Sequence, residues 1–267
     1  MKEKEITEIV EEKFKITNKL CQEILKGFSA HDIHDFRVEI KKLRAFLRLM
    51  DMQHKIDGPL IPKQVKTFYG YVGIIRNIHL HKHSLFKYIT DYAIDKPGEY
   101  IKLLDDEESY WKKEAGDLME DNNFQDAQGK ILGELPDKLE KPAIKKFVEN
   151  KLDQIKEQLK EMNNETALHN VRKNLKDLLY TWDYTKAEAD LPQAISKEED
   201  LKTLATKLGD FRDKCIQLEF LDAEYLDKIK DDNESSVLLK IKDEFLHEKE
   251  IMMQELCYSL NDLNKQL

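Results

Sequence analysis

Apolar residues recur at spacings of three and four along nearly the whole chain, which is the pattern of amphipathic α-helices. It predicts eight long helical segments, at about residues 3–26, 32–54, 61–94, 99–121, 137–162, 165–185, 197–229 and 234–264. Runs of alternating Val, Ile and Thr are few, and Gly, Pro and Asn-Asn stand between the segments. The pattern therefore predicts an all-α protein.

The weakest helical pattern lies at residues 122–136, which contain an Asn-Asn pair, two glycines and a proline. Breaker residues of this kind are typical of a boundary between units. We therefore predict two halves of four helices each, at residues 1–130 and 131–267.

A stripe of positive charge and histidine follows one face of the second predicted helix. In what we call the first stripe, spacings of three and four join His34, Arg37, Lys41, Arg44 and Arg48, within an arc of about 80°. A second stripe begins 135 residues later, with His169, Arg172, Lys173 and Lys176. Like charges stacked this way repel one another, so the pattern favours a polyanionic ligand.

The repeat extends beyond the stripes. Gly73-x-x-Arg76 follows the first stripe and Gly209-x-x-Arg212 follows the second, at distances from the leading histidine of 42 and 43 residues. An internal repeat of this length indicates two related units. We therefore expect two four-helix bundles related by a pseudo-twofold axis.

Helical-wheel positions indicate that both stripes face inward. Apolar arcs bracket the first stripe, while Asp35 and Glu39 lie on the arc that we interpret as the solvent side. On the helix that carries the second stripe, the corresponding outer arc carries Asn170, Asn174 and Asp177. Two inward stripes related by a twofold axis would line one central basic channel.

Charge and composition narrow the possible functions. The net charge is −9, yet residues 34–48 carry a net of +3, so the positive charge is local. No segment approaches the roughly 18 apolar residues of a membrane span. The three cysteines match no metal-site spacing, and we expect reduced thiols, a cytoplasmic location, no metal and no cofactor.

At these residues the sequence resembles the CHAD family, the conserved histidine α-helical domain. His34-Asp-Phe-Arg37-Val-Glu-Ile-Lys41-Lys42-Leu-Arg44 is similar to the family's first signature, and His169-Asn-Val-Arg172-Lys173-Asn-Leu-Lys176 to the second. The two Gly-x-x-Arg segments also match. The resemblance implies two four-helix bundles around a basic channel, non-enzymatic binding of inorganic polyphosphate, and association with polyphosphate granules.

The resemblance and the stripes together predict the residues that bind polyphosphate. They are His34, Arg37, Lys41, Lys42, Arg44, Arg48, Arg76, His169, Arg172, Lys173, Lys176 and Arg212. Leu179 stands where the first stripe has Arg44, so we expect residues 34–48 to carry more of the binding than residues 169–176.

Two other functions deserve comparison with polyphosphate binding. Nucleic acid is the alternative polyanion, but the chain is acidic overall and neither stripe contains a Phe, Tyr or Trp for base stacking. A phosphohydrolase would need an acidic metal cluster, which the sequence does not suggest. The sequence leaves the oligomeric state and protein partners open.

Overall fold

The computed structural model describes residues 1–54, 61–120, 124–188 and 191–267, and these residues form an all-α protein. The α-helices are α1 (Glu3–Gly27), α2 (Ala30–His54), α3 (Lys63–Asp91), α4 (Gly98–Met119), α5 (Gln125–Leu132), α6 (Lys141–Leu159), α7 (Glu165–Tyr180), α8 (Trp182–Thr185), α9 (Glu198–Glu219), α10 (Ala223–Leu226) and α11 (Asp232–Gln266). A 3₁₀ turn spans Gln193–Ile195. Across the described ranges, none of the helices is long and apolar enough to cross a bilayer.

The two helices that carry the stripes begin at polar caps. Before α2, the Ser29 hydroxyl accepts a hydrogen bond from the backbone N–H of Asp32 at 3.1 Å. Before α7, the Asn164 side chain accepts from the N–H groups of Thr166 and Ala167. These caps satisfy N–H groups that have no partner inside the helix, and they fix where each stripe begins.

Two helices end well before the residue that the periodicity predicts, and one short helix forms where a break was predicted. Helix α7 ends at Tyr180, and a turn at the buried Thr181 separates it from α8. Helix α9 ends at Glu219, where the Phe220 carbonyl accepts a hydrogen bond from Tyr100. The short α5 forms inside the stretch that we read as a break. Its buried Ala127 and Ile131 join the core, which outweighs the unfavourable helix propensity of Gly129.

Helix packing repeats between the two parts of the chain. Along the first part, α1 packs on α2, α2 on α3, and α3 on α4. Along the second, α6 packs on α7, α7 on α9, and α9 on α11. Corresponding helices also meet, since α2 contacts α7 and α3 contacts α9. The two helices that carry the stripes therefore face each other.

The hydrophobic core is continuous across the predicted boundary near residue 130. One cluster joins Phe14 and Phe36 to Phe147 and Leu175. A second, smaller cluster joins Tyr100 of α4 to Phe220 and Leu238. The division at 1–130 and 131–267 and the arrangement as two four-helix bundles stay predictions.

Candidate anion-binding cavity

A cavity of about 350 Å³ lies where α2, α3, α7 and α9 converge. We call it the basic cavity, and its lining is Arg37, Lys41, Arg44, Arg48, Tyr69, Arg76, Asn77, His169, Arg172, Lys173, Lys176, Asp177, Tyr180, Arg212, Asp213 and Ile216. Nine arginines and lysines face two aspartates, a net of +7 when all are charged. In a protein of net charge −9, this is a strong local concentration of positive charge.

Ten of the twelve residues predicted to bind polyphosphate line the basic cavity. The other two do not. The Lys42 ammonium donates to Glu39 at 2.6 Å on its own helix. His34 is exposed near the cavity's edge, where partial desolvation and the charge of Arg76 lower its pKa. The structure thus brings both stripes together and leaves Lys42 outside the cavity that they line.

Tyr69 of α3 holds the arginines of the first stripe. The Arg37 guanidinium donates through Nη1 to the Tyr69 carbonyl at 2.8 Å, and it lies 4.2 Å from the centre of the Tyr69 ring. Arg44 lies over the same ring at 5.3 Å. Stacking and hydrogen bonding restrict these flexible side chains before any ligand arrives.

The repeated glycines explain the Gly-x-x-Arg motif. A Cβ added at Gly73 would lie 2.2 Å from Nη1 of Arg37, so this guanidinium occupies the space of the missing side chain. At Gly209 an added Cβ would lie 3.4 Å from Nε of Arg172. In both parts of the chain, the stripe arginine crosses the glycine of the next helix in the repeat. The contact is much closer at Gly73.

The two motif arginines have different partners. Arg76 pairs across the cavity with Asp213, at 3.2 and 3.4 Å. The residue after Arg76 is Asn77, so Arg212 finds no matching aspartate there and pairs with Glu219 at 3.0 Å. The cavity thus has one internal Arg–Asp pair where exact symmetry would give two.

A polar network between α2, α6 and α7 corrects one sequence interpretation. Asn174 and Asp177 were placed on the solvent side, but they are 6% and 5% exposed. Asp177 accepts from Arg48 and from Lys151, both at 2.7 Å, and Lys151 also donates to Asn174 at 3.1 Å. The wheel was wrong here because α6 and Arg48 cover this face of α7.

Crowded positive charge depresses the proton affinity of the cavity's bases. Burial, reinforced by Arg37, Arg172 and Arg76, lowers the pKa of Lys41 to about 7. Burial and the cations around His169 lower its pKa to about 4. Burial and Arg172 also lower the pKa of Lys176. The protein supplies too little negative charge here to hold every base protonated at neutral pH.

Several buried nitrogens on the cavity wall have no hydrogen-bond partner in the described part of the chain. They are Nε of Arg37, Arg44 and Arg172, and Nδ1 of His169. Each unmet buried donor is costly, on the order of 1–3 kcal/mol. Donors outnumber acceptors at this site, and its planar guanidinium forks match the oxygens of phosphate groups.

Five polar residues of the cavity were not predicted as site residues, namely Tyr69, Asn77, Asp177, Tyr180 and Asp213. Two of these residues could have been predicted from their spacing in the sequence. Tyr180 lies four residues after Lys176 on the same helix face, and their side chains stack with Nζ 5.7 Å from the ring centre. Tyr69 lies four residues before Gly73 on α3. The role of Asp177 could not have been predicted from spacing, because its partner Arg48 lies 129 residues away in the sequence.

Comparison with known proteins agrees with the geometry. The family model of the CHAD domain matches residues 8–222, which include every residue that lines the basic cavity. No curated protein matches the chain. The match covers well over half of the sequence and includes both stripes and both Gly-x-x-Arg motifs. The chain therefore belongs to the CHAD domain family.

Proposed function

We propose that this protein binds inorganic polyphosphate in the basic cavity without chemically transforming it. The observation that carries the proposal is the convergence of nine arginines and lysines from four helices on one cavity that contains only two carboxylates. A phosphate chain supplies a row of negative oxygens that can meet several cations at once. Membership of the CHAD family, whose resemblance implies polyphosphate binding, supports the same ligand.

The cavity favours polyphosphate over nucleic acid. Its two aromatic rings, Tyr69 and Tyr180, already stack against cations of the protein. A nucleic acid would need free ring faces for its bases, whereas polyphosphate needs only donors. The volume of about 350 Å³ also suits a bare phosphate chain better than a chain that carries bases.

The carboxylates of the cavity support a binding role over a catalytic one. Asp177 is held by Arg48 and Lys151, and Asp213 is held by Arg76. The oxygens of both carboxylates are engaged by cations of the protein, so neither is positioned to accept a proton from water. In this proposal the two halves form four-helix bundles related by a pseudo-twofold axis, and the basic cavity is their central channel. The protein would then associate with cytoplasmic polyphosphate granules.

A calorimetric titration with long-chain polyphosphate at several salt concentrations tests the proposal. We expect log K to fall linearly with log salt concentration, because phosphate contacts release counterions. Arg37→Glu and Arg172→Glu should each weaken binding strongly. Lys15→Glu is the matched control, since Lys15 is exposed on α1 and the change of charge is the same.

Competition separates the two polyanions. Polyphosphate should displace single-stranded RNA or DNA at a much lower phosphate concentration than the reverse. Binding that survives both arginine reversals, or nucleic acid that displaces polyphosphate more readily, would contradict the proposal.

A further inference from the structure

A second, smaller cavity adjoins the basic cavity between α6 and α7. We call it the side pocket; its volume is about 180 Å³, and its lining is Arg48, Lys151, Gln154, Gln158, Asn170, Lys173, Asn174 and Asp177. Three of these residues, Arg48, Lys173 and Asp177, also line the basic cavity. The two cavities are therefore adjacent, with Arg48, Lys173 and Asp177 as shared wall residues.

The side pocket is charged and rich in donors. Arg48, Lys151 and Lys173 face a single carboxylate, Asp177, which leaves a net of +2 when all are charged. Asp177 binds Arg48 and Lys151 at once and so fixes both cations in place. Gln158 accepts from the Asn174 amide at 3.3 Å, which leaves its own amide N–H groups for a ligand.

The polar network that lines the side pocket is buried, and burial of polar and charged groups costs free energy. Lys151, Asn174 and Asp177 are all at least nine-tenths buried, and they stand among only nine buried polar or charged residues in the described part of the chain. A buried ion pair is often replaceable by apolar residues at no loss of stability. Lys151 lines the side pocket, and its bonds to Asn174 and Asp177 leave the third of its ammonium N–H groups for a ligand.

The charge of the side pocket distinguishes the end of a phosphate chain from its middle. An internal phosphate carries one negative charge, while a terminal phosphate has a second ionisation with a pKa near ~6 and is close to dianionic at neutral pH. Beyond the charges that it shares with the basic cavity, the side pocket adds the Lys151 ammonium, and this additional positive charge favours the doubly charged terminal group. The volume is about six times the ~30 Å³ of a water molecule in the liquid, which is room for one phosphate and a few waters.

The side pocket lies beside α7, and the positions of α2 that correspond by the repeat carry different residues. The α2 residues in register with Lys173, Asn174 and Asp177 are Val38, Glu39 and Lys42, by the same shift of 135 that relates the stripes. There Lys42 is engaged by Glu39. The two ends of a bound chain would therefore meet different surroundings.

We infer that the side pocket binds the terminal phosphate of a linear polyphosphate chain whose following phosphates lie in the basic cavity. This inference rests on the proposed function. The protein would then recognise the end of a polyphosphate chain as well as its internal phosphates. Arg48 and Lys151 supply the charge, and Asp177 is a positioning residue that holds them.

Linear hexaphosphate and cyclic hexametaphosphate test the inference, because they have the same number of phosphates but only the linear chain has ends. The main variant is Gln154→Glu, which adds a negative charge at an exposed position of the side pocket outside the basic cavity. We expect it to weaken the linear ligand about fivefold and the cyclic ligand less than twofold. Gln254→Glu, at an exposed position of α11, is the matched control and should change neither.

Lys151→Met is a second variant, and it should show the same selectivity for the linear ligand. Its thermal unfolding is measured in parallel because Lys151 is buried. If Lys151→Met does not fold, the titrations of Gln154→Glu alone test the inference. Equal effects on both ligands, or no effect on either, would overturn the inference while leaving polyphosphate binding intact. A wild-type protein that binds neither ligand would overturn the proposed function itself.

Discussion

The two walls of the basic cavity differ although they come from a repeated sequence. The α2 wall presents Arg37, Lys41, Arg44 and Arg48, whereas the α7 wall presents His169, Arg172, Lys173 and Lys176. Tyr69 stacks with two arginines of the α2 wall, but only Lys176 stacks on the α7 wall, against Tyr180. The α2 wall is thus richer in guanidinium groups and more firmly held.

The two repeated parts share the packing of an arginine against a glycine but differ in their charged side chains. Both walls retain the crossing of a stripe arginine over a glycine, as Arg37 does at Gly73 and Arg172 at Gly209. In contrast, Leu179 replaces Arg44 and Asp183 replaces Arg48 in register. What is repeated is the close approach of helices that builds a cavity, while each wall has its own chemistry.

Neutralising the corresponding arginines should give the largest difference between the walls. We expect Arg37→Gln to weaken polyphosphate binding about 100-fold and Arg172→Gln about tenfold, because Arg37 is pre-organised by Tyr69. Calorimetric titration of both variants at one salt concentration measures the difference. Equal losses would show that the walls contribute equally.

The pH dependence should come mainly from the α2 wall. The pKa of Lys41 is about 7, so Lys41 is largely neutral above pH 7 and charged below it. A polyanion binds the charged form better, so affinity should rise as the pH falls, by about tenfold between pH 8.5 and 6. His169, with a pKa of about 4, stays neutral in this range.

Lys41→Arg is the control for that pH effect. Arginine stays protonated throughout the range, so the variant should lose most of the pH dependence while still binding. Comparing wild type and variant with the same ligand also cancels the titration of the phosphate ends. A pH profile that is unchanged in Lys41→Arg would assign the effect to another group.

Substitution of Gly73 or Gly209 by alanine should also distinguish the two walls, because each change adds only one methyl group. Gly73→Ala places a Cβ 2.2 Å from Arg37 and displaces its guanidinium, so we expect affinity to fall about fivefold. Gly209→Ala makes only an ordinary contact at 3.4 Å and should change affinity less than twofold. Alanine favours the helix by up to about 1 kcal/mol at both positions. In Gly73→Ala the displaced Arg37 also loses its hydrogen bond to the Tyr69 carbonyl, so the thermal unfolding of both variants is measured beside the titrations. Similar losses of affinity in the two variants would contradict this account.

The smallest predicted effects concern Asp213 and Asn77. Asp213→Asn removes a carboxylate that occupies Arg76, so polyphosphate should bind about threefold more tightly. Asn77→Asp adds a carboxylate to the cavity and should weaken binding by about the same factor. Titrations of the two variants beside wild type measure both. Shifts in the same direction would mean that these residues act through the fold and not through charge.

The sequence was sufficient to predict the helices and the meeting of the stripes, since both depend on local periodicity and on the repeat. Two inward-facing stripes had to approach each other if the repeat was symmetrical, and α2 does contact α7. The break after Glu219 was missed because it involves a tertiary contact, the hydrogen bond from Tyr100 of α4 to the Phe220 carbonyl. The turn at Thr181 was missed because the apolar pattern continues through it into α8.

The site was predicted less completely where pairing is long-range. A helical wheel ranks the faces of one helix, but it contains nothing about what covers each face. Asp177 was therefore placed in solvent, although Arg48 and Lys151 bind it from two other helices. Lys42 fell inside the family signature, yet its angle on α2 leaves it beside Glu39.

A crystal structure with a short linear polyphosphate tests the central claim most directly. We predict consecutive phosphates in the basic cavity between Arg37 and Arg172, with more contacts to the α2 wall than to the α7 wall. Phosphates bound only on the outer surface, with both arginines left unliganded, would contradict it.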